Sequence, residues 1–329
     1  MLRGLTRFFI LLLVLSGLGL GAFLYGQFLF ERPGPSSHAV NIIIEPGSGL
    51  KIIAGELAHH GVIENPLVFI FGTRLFDKAR ALKAGEYAFP ARVSARGAME
   101  IIASGETIVR RLTVPEGITS LQAATIVNQA EGLKGSLATI PGEGRLLPET
   151  YHYSWGDSRY EIVARMEKDM AEVLSGLWPG RAKDLPFNTM REALVLASIV
   201  EKETALPEER PRIAGVFINR LKKAMRLQSD PTVVYGLAGA RGDLGRALTR
   251  KDLETKTAYN TYQINGLPPG PICNPGRASL EAVLHPLATK ELYFVADGTG
   301  GHAFAETLKA HNKNVARWRG SQNNPAKSP

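Results

Sequence analysis

The sequence predicts an α+β protein with an N-terminal transmembrane helix, then a small α+β domain and a larger α+β domain. Three observations support this: residues 8–30 carry no charge, strand-like and helix-like segments alternate in residues 41–132, and longer helical segments follow residue 189. At about 150 residues per domain, 329 residues are enough for roughly two folded domains, and 44% hydrophobic residues supply their cores. A disulfide-stabilised scaffold is excluded because the chain has one cysteine, Cys273.

The N-terminal segment is long and apolar enough to anchor the chain in a membrane. Residues 8–30 are 23 uncharged residues in succession. As a helix they span about 34 Å, against roughly 30 Å for a bilayer core. Arg3 and Arg7 predict that residues 1–7 are cytoplasmic and residues 31–329 periplasmic or extracytoplasmic, as in a single-pass inner-membrane protein. A cleaved signal peptide is the alternative, but its best cleavage site, Gly19-Leu20-Gly21, lies inside the apolar run.

The net charge of +8 is by itself typical of a protein with an anionic partner such as nucleic acid. Its distribution argues against that partner. Residues 301–329 carry five basic and one acidic side chain, and Arg3 and Arg7 precede the apolar run. Residues 8–300 therefore hold 32 basic and 30 acidic side chains, so no nucleic-acid partner is predicted.

The first folded segment has a strand–turn–helix opening. Residues 31–40 are rich in Pro, Gly and Ser and predict a linker. Residues 41–45 predict a strand and residues 50–60 a helix that Gly61 ends. A helix over 69–82 and a strand over 84–89 follow.

This opening resembles the LysM type of glycan-binding module. The resemblance predicts a LysM-like domain over residues 41–105, with a small spacer domain as the alternative. Residues 106–320 are then predicted to form the second domain, and residues 321–329 a flexible tail.

The second domain begins with a strand over 108–114, a Pro115-Glu116-Gly117 turn and a helix over 121–130. Its later segments are predicted from caps and turn residues. Thr189-Met190-Arg191-Glu192 is a capping box that opens a helix over 190–204, and this helix leaves only a narrow polar stripe of Arg191, Ser198 and Lys202. The remaining segments are an amphipathic helix over 212–225, turn-rich stretches over 228–236 and 259–276, and a strand leading into a Gly-rich turn over 292–304.

Several chemistries lack their sequence signatures. The chain contains no H-E-x-x-H or C-x-x-C zinc pattern, no G-x-S-x-G nucleophile pattern and no G-K-[ST] phosphate loop. We therefore predict no metal or other cofactor, and carboxylates remain as the candidate catalytic groups.

Glu201 and Glu203 lie near the C-terminal end of the apolar helix, on the two flanks of its apolar sector. Partial burial and the negative end of a helix dipole both favour the protonated form of a carboxyl group. A protonated carboxyl group is the general acid that glycosidic cleavage requires. The alternative is that these acids pair with Lys202, Arg210 or Arg212 at the helix end. The pattern alone does not choose between Glu201 and Glu203 as the acid.

Six segments together resemble the YceG-like family of lytic transglycosylases, with an order and spacing that fit from about residue 41 to Trp318. They are ASIVEKET (197–204), LPETY (147–151), FINR (217–220), LQSDPTVVYG (227–236), YNTYQINGLPPGPICNPG (259–276) and FVADGTGGHAF (294–304).

The resemblance implies a lyase that cuts peptidoglycan glycan strands endolytically. It implies cleavage of the β-1,4 bond between N-acetylmuramic acid and N-acetylglucosamine, formation of a 1,6-anhydro end, and termination of elongating strands. Glu201, and not Glu203, matches the catalytic acid. The implied partner beside the glycan strand is a peptidoglycan synthase, that is, a penicillin-binding protein. A muramidase that uses water, and a non-catalytic peptidoglycan-binding anchor, are the alternatives.

Other polar residues in these segments are candidates for substrate contact, each with a structural alternative. A turn or helix cap is the alternative for Asp230, ordinary packing for the tyrosines, a rigid loop for Asn274, a structural hydrogen bond for His302 and a surface turn for Glu149. The full set of candidates is Gln228, Asp230, Tyr259, Asn260, Tyr262, Asn274, His302 and Glu149.

Overall fold

The computed structural model describes residues 2–322 and confirms a mixed α and β protein. The elements in that range are α1 (Leu2–Glu31), β1 (Val40–Ile44), α2 (Leu50–His59), α3 (Pro66–Leu75), β2 (Gly85–Phe89), α4 (Ala95–Ser104), β3 (Arg110–Thr113), α5 (Ser120–Gln129), β4 (Thr150–Tyr153), α6 (Arg159–Leu177), α7 (Met190–Glu203), α8 (Arg210–Lys222), α9 (Asp230–Ala238), α10 (Arg250–Glu254), α11 (Arg277–Leu284), β5 (Tyr293–Ala296), β6 (His302–Ala305) and α12 (Leu308–Gln322).

The chain divides into two compact units. The first comprises the residues up to Arg110 together with 131–134 and 152–157. The second comprises 111–130, 135–151 and the residues from Ser158 onward.

In the first unit, β1 and β2 form an antiparallel pair in which Val40 lies opposite Phe89 and Ile44 opposite Gly85. The inward side chains of this pair meet those of α2, α3 and α4 in one hydrophobic core. The predicted strands over 41–45 and 84–89 and the helix over 50–60 are therefore confirmed. The predicted helix over 69–82 is wrong in its bounds. It starts earlier because Asn65 caps the Leu67 N–H (2.9 Å) and Pro66 takes the first helical position.

Helix α1 is long and apolar enough to cross a membrane over Leu5–Glu31, and its last turn belongs to the first unit. Phe30 is 2% exposed and its ring stacks on that of Phe76, with 5.8 Å between centroids. The segment predicted as a linker is also held in place. The Gly34 N–H donates to the Arg92 carbonyl (3.2 Å), and the Arg92 N–H donates to the Ser36 carbonyl (2.8 Å). Residues 32–36 are thus packed against the unit, in contrast to the free linker expected from their composition.

In the second unit, α7 is the central helix. Residues 193–200 are all buried, and α8, α11 and α6 contribute to the core around them. The predicted capping box is confirmed, since Thr189 accepts from the Glu192 N–H and the Glu192 side chain accepts from the Thr189 N–H. Ser198 is not part of a polar stripe as predicted. It is fully buried, and its hydroxyl donates to the Val195 carbonyl and accepts from the Ile272 N–H (3.0 Å).

The turn-rich interpretation of residues 228–236 is wrong, because α9 begins at Asp230. Asp230 and Pro231 are favourable in the first turn of a helix, where a carboxylate meets unpaired N–H groups and proline needs none. The predicted turn-rich stretch over 259–276 is confirmed as irregular structure. The Gly-rich turn near residue 299 joins β5 to β6, which pair with Tyr293 opposite Ala305. Helix α12 extends to Gln322, so the predicted tail begins in a helix, and residues 323–329 lie outside the described residues.

Candidate active site

Glu201 lies in the last turn of α7, and its side chain is 4% exposed. Two groups contact its carboxylate. The Gly276 N–H donates to Oε2 (2.9 Å), and Arg210 Nη2 lies 3.3 Å from Oε1. Gly276 is the residue that precedes the first turn of α11, so the positive end of that helix dipole also faces the carboxylate. Both oxygens of the Glu201 carboxylate therefore have a hydrogen-bond donor.

Glu116 is a second carboxylate at the same arginine. Its Oε2 lies 3.2 Å from Arg210 Nη2, the atom that also contacts Glu201. Burial and the negative charge of Glu201 raise the pKa of Glu116, and Arg210 opposes this rise. From the sequence alone, Glu116 is only a turn residue. Its position in the Pro-Glu-Gly turn was the one available signal, because its partner Arg210 is distant in the sequence.

Arg210 itself is buried, with 10% of its side chain exposed. Its Nε–H has no hydrogen-bond partner among the described residues, although the Nη2 atom has two acceptors. A buried guanidinium between two carboxylates is therefore the main positive charge at this site.

Two glycines allow the backbone to come close to the carboxylates. A Cβ atom at Gly276 would lie 1.8 Å from Glu116 Oε1, a distance that real atoms do not reach. Gly117 has a φ of +75°, a conformation that side chains disfavour, and a Cβ there would lie 3.5 Å from Glu201 Cγ. Both glycines are therefore required by the geometry of the site.

Asn274 holds the loops of the site together and is itself fully buried. Its side-chain amide donates to the Ile118 carbonyl (3.1 Å) and accepts from the Leu146 N–H (3.0 Å), and it also contacts the Ser120 hydroxyl. Its backbone carbonyl accepts from the Gly117 N–H (3.0 Å). The structure therefore gives Asn274 a positioning role in place of the predicted contact with substrate.

A groove of about 480 Å³ lies beside these loops. Gly117 and Lys202 form part of its wall, and Lys202 Nζ donates to the Gly117 carbonyl (3.2 Å). Glu201 is not among the lining residues, but it is close to one of them, since a Cβ atom at Gly117 would lie 3.5 Å from Glu201 Cγ. The other lining residues are Ile118, Thr119, Gln122, Asp230, Pro231, Val234, Tyr235, Gly242, Asp243 and Ile272.

Glu203, the other acid of the pair, has different surroundings. Its carboxylate accepts a short hydrogen bond from the Ser229 hydroxyl, and Ser229 is itself 2% exposed. Burial raises the pKa of Glu203 to about 7, and the charge of Asp230 adds to the rise. The expectation that burial favours a protonated carboxyl group at this end of α7 is confirmed for Glu203.

Asp230 lines the groove and accepts a hydrogen bond from the Tyr262 hydroxyl (2.6 Å), so the structure brings these two predicted residues together. Gln228 is exposed and has a φ of +51°. Tyr259 is partly buried against Tyr235, with 4.8 Å between ring centroids.

Two predicted contact residues make other contacts, and a third is exposed. Asn260 is 1% exposed, and its amide donates to the carbonyls of Leu253 (3.1 Å) and Thr255 (2.6 Å). These bonds fix a loop, which replaces the predicted substrate contact. His302 Nδ1 lies 2.7 Å from a Glu209 carboxylate oxygen, which supports the structural alternative for this residue. Glu149 is exposed at the start of β4.

Within residues 2–322, no group of three or more His, Cys, Asp or Glu side chains is arranged to hold a metal ion. The polar groups that the structure places around Glu201 are the Glu116 carboxylate, the Arg210 guanidinium and the Gly276 N–H.

Comparisons with known proteins identify relatives along most of the chain. The model of the YceG-like family matches residues 42–317. A Bacillus subtilis (strain 168) protein named endolytic murein transglycosylase is 34% identical, over 92% of this chain and 91% of that protein. A protein of the same name from Streptococcus pneumoniae serotype 2 is 29% identical, over 93% of this chain and 64% of that protein. The crystal structure of a putative YceG-like protein from Listeria monocytogenes has 32% identity and a TM-score of 0.50, over 84% of this chain and 99% of that one. The chain belongs to the YceG-like family.

Proposed function

We propose that this protein is an endolytic murein transglycosylase, a lyase that acts on peptidoglycan. The observation that carries the proposal is the relationship to the B. subtilis endolytic murein transglycosylase, which extends over 92% of this chain at 34% identity. The site is compatible with this function, because a nearly buried acid, Glu201, lies close to Gly117 in the wall of a groove.

Glu201 is proposed to act first as an acid and then as a base. Its carboxyl group donates a proton to the glycosidic oxygen O4 as the bond from O4 to C1 of the muramic acid breaks. The carboxylate that remains takes the proton from the C6 hydroxyl of the same sugar, and O6 forms a bond to C1. A 1,6-anhydro ring results, and Glu201 recovers its proton. Because the nucleophile belongs to the substrate, a second carboxylate nucleophile is not obligatory.

The contacts of Glu201 suit the charged half of this cycle. The carboxylate exists between the two proton transfers, and the Gly276 N–H and Arg210 are both in position to stabilise it. Donors that are already in place need no reorganisation at the moment of reaction. Glu116 also contacts Arg210, so the arginine is shared between the two carboxylates.

We further propose that α1 anchors the enzyme in the cytoplasmic membrane with both folded units outside the cell or in the periplasm. Support comes from the apolar length of Leu5–Glu31 and from Arg3 and Arg7 before the run. The first unit is proposed to be a LysM-like glycan-binding domain. An enzyme held at the membrane reaches strands as they are made, so we propose that it terminates nascent strands beside a peptidoglycan synthase of the penicillin-binding class.

The test is digestion of purified sacculi by the full chain in detergent, followed by mass analysis of the fragments. The proposal predicts internal fragments with 1,6-anhydro-muramic ends. Glu201→Gln is expected to lower the rate about 10²–10⁴-fold, the usual contribution of a general acid. Glu203→Gln, two residues away on the same helix, is the matched control and is expected to stay within tenfold of the wild type.

The other outcomes contradict the proposal in different ways. Reducing ends instead of anhydro ends would identify a muramidase. Absence of fragments would identify a non-catalytic binding protein. Full activity in Glu201→Gln together with loss in Glu203→Gln would reverse the assignment of the acid.

A further inference from the structure

Helix α3 in the first unit presents an apolar stripe to its surroundings. Leu67, Phe71 and Leu75 are 62%, 66% and 62% exposed and are spaced four residues apart. This spacing places all three on one face of the helix. The opposite face is buried in the core through Phe69, Ile70 and Thr73. Such a stripe of large apolar side chains usually marks a surface that contacts another protein or a membrane in the functional protein.

The stripe adjoins the end of α1. Leu67, Phe71 and Leu75 line one side of an apolar groove of about 400 Å³, and Ala22, Phe23, Gly26 and Gln27 of α1 line the other. Phe30 fixes the two helices together, because it is buried and packs on Gly72, where a Cβ atom would lie 2.5 Å from its ring. The stripe therefore keeps a fixed position relative to the last turns of α1.

This position sets the depth of the stripe in a membrane. If α1 crosses the bilayer, the hydrocarbon core of roughly 30 Å takes about 20 residues of helix. Counted from Phe8, the hydrocarbon core of the bilayer then ends near Gln27. The groove residues 22–27 lie within the half of that hydrocarbon core that is nearer the folded unit. The facing side chains of α3 must lie at a similar depth.

Basic side chains lie next to the stripe. Arg74, Lys78 and Arg80 are exposed at the end of α3 and just after it, with Asp77 as the acidic residue between them. A net positive charge beside an apolar face is the pattern of helices that lie at an anionic lipid surface.

We propose that Leu67, Phe71 and Leu75 are immersed in the outer leaflet of the bilayer that α1 crosses, with Arg74, Lys78 and Arg80 at its anionic headgroups. The first unit is then held to the membrane surface at two places, α1 and α3, and does not swing freely on its anchor. This inference rests on the anchor described under the proposed function.

The experiment uses the full chain in vesicles of phosphatidylethanolamine and phosphatidylglycerol. Variants with one added cysteine carry a fluorescent label whose emission reports polarity. Phe71→Cys tests the stripe, and Ile52→Cys on α2, an apolar position that is 58% exposed and outside the groove, is the matched control. Leu15→Cys in α1 reports the anchor. The native Cys273 is fully buried, so the unsubstituted chain serves as the labelling blank.

We expect lipids brominated in the upper acyl chain to quench the label at residue 71 and not at residue 52. Aqueous iodide is expected to quench residue 71 at least about fivefold less than residue 52, because hydrocarbon excludes the ion. The inference is overturned if iodide reaches residues 71 and 52 equally while lipids brominated deep in the chain still quench residue 15. That result leaves the anchor and the lytic activity standing. Loss of quenching at residue 15 would remove the anchor and the inference together.

A second copy of the chain could instead cover the stripe. Residue 71 would then be shielded from iodide and from brominated lipid alike, and the shielding would weaken as the protein is diluted in lipid. That outcome also overturns the inference.

Discussion

Replacement of Arg210 by Met tests whether one buried guanidinium holds the two carboxylates of the site. Arg210 Nη2 contacts Glu116 and Glu201 at 3.2 and 3.3 Å, and the arginine side chain is 10% exposed. Methionine keeps much of the apolar stem and removes the charge. Both carboxylates then lose their shared cation.

The expected loss of stability follows from how deeply Arg210 and its two carboxylate partners are buried. Removing one member of a buried ion pair costs about 3–5 kcal/mol, because the charge that remains is uncompensated. Glu116 is 42% exposed and is screened by solvent, so we expect the lower end, about 3 kcal/mol. For a domain of this size, 1 kcal/mol corresponds to roughly 2–4 °C, and the thermal midpoint should fall by about 10 °C.

The loss of stability in Arg210→Met should depend on pH. In the wild type, Arg210 lowers the pKa of Glu116 while burial raises it more. Without Arg210, the pKa of Glu116 rises further above the unfolded value of about 4.3. A raised folded-state pKa gives stability that is present below the unfolded pKa and lost as pH rises through the folded pKa. The variant should therefore be closer to the wild type at pH 4.5 than at pH 8.

The assay is thermal unfolding of the full chain in detergent at these two pH values, with sacculus digestion in parallel. Arg250→Met is the matched control, because Arg250 pairs with Glu254 (Nε to Oε1 3.8 Å) and the two side chains are 94% and 70% exposed. A surface pair of this kind contributes at most about 1 kcal/mol. If Arg210→Met melts at the same temperature as Arg250→Met, or if its loss of stability is equal at pH 4.5 and pH 8, Arg210 does not compensate the two carboxylates.

Three further predictions concern neighbouring residues. Because burial raises the pKa of Glu203 to about 7, the wild type should lose up to about 3 kcal/mol of stability between pH 5 and pH 8. In Glu203→Gln the amide can still accept from Ser229, and thermal melts should show little of this pH dependence. A dependence of stability on pH identical to that of the wild type would contradict the prediction. Asn274→Ala should lower the free energy of unfolding by about 3 kcal/mol and remove most of the lytic activity, since buried hydrogen-bonding groups lose their partners. A variant with normal thermal melting and normal digestion of sacculi would show that the loops hold their positions without Asn274. Gly276→Ala should displace the Glu116 side chain and lower the thermal midpoint, and adding Glu116→Ala should restore much of the lost thermal stability. If the double variant melts no higher than Gly276→Ala, the clash does not involve Glu116.

The sequence predicted those features of the fold that depend on residues close together in the chain. The capping box of Thr189 and Glu192 involves residues three apart, so its pattern identifies the start of α7 without knowledge of the rest of the fold. The Asp-Pro at residues 230–231 is equally local but ambiguous, because both residues are common in turns and also favourable in the first helical turn. Packing of α9 against α7 resolves the ambiguity, and that packing is not visible in the sequence.

The candidate site depends on contacts between residues that are far apart in the sequence. Glu201 and Glu203 have similar positions in the pattern, and Arg210, nine residues after Glu201, was a candidate partner for either acid. Only the fold assigns Arg210 and Gly276 to Glu201 and Ser229 to Glu203. Asn274 is a comparable case. A polar residue in a Pro- and Gly-rich loop was as suitable for sugar contact as for loop support, until the structure placed its amide against Leu146.

The proposed reaction uses Glu201 in two roles. As an acid it would release a proton to the leaving oxygen, and as a base it would take one from the attacking hydroxyl. Between these two steps the side chain carries a negative charge. Arg210 contacts both Glu201 and Glu116, and the Gly276 N–H supplies a neutral donor to Glu201. The carboxylate that the first step leaves therefore meets donors that are already in place, and no reorganisation is needed to form these contacts.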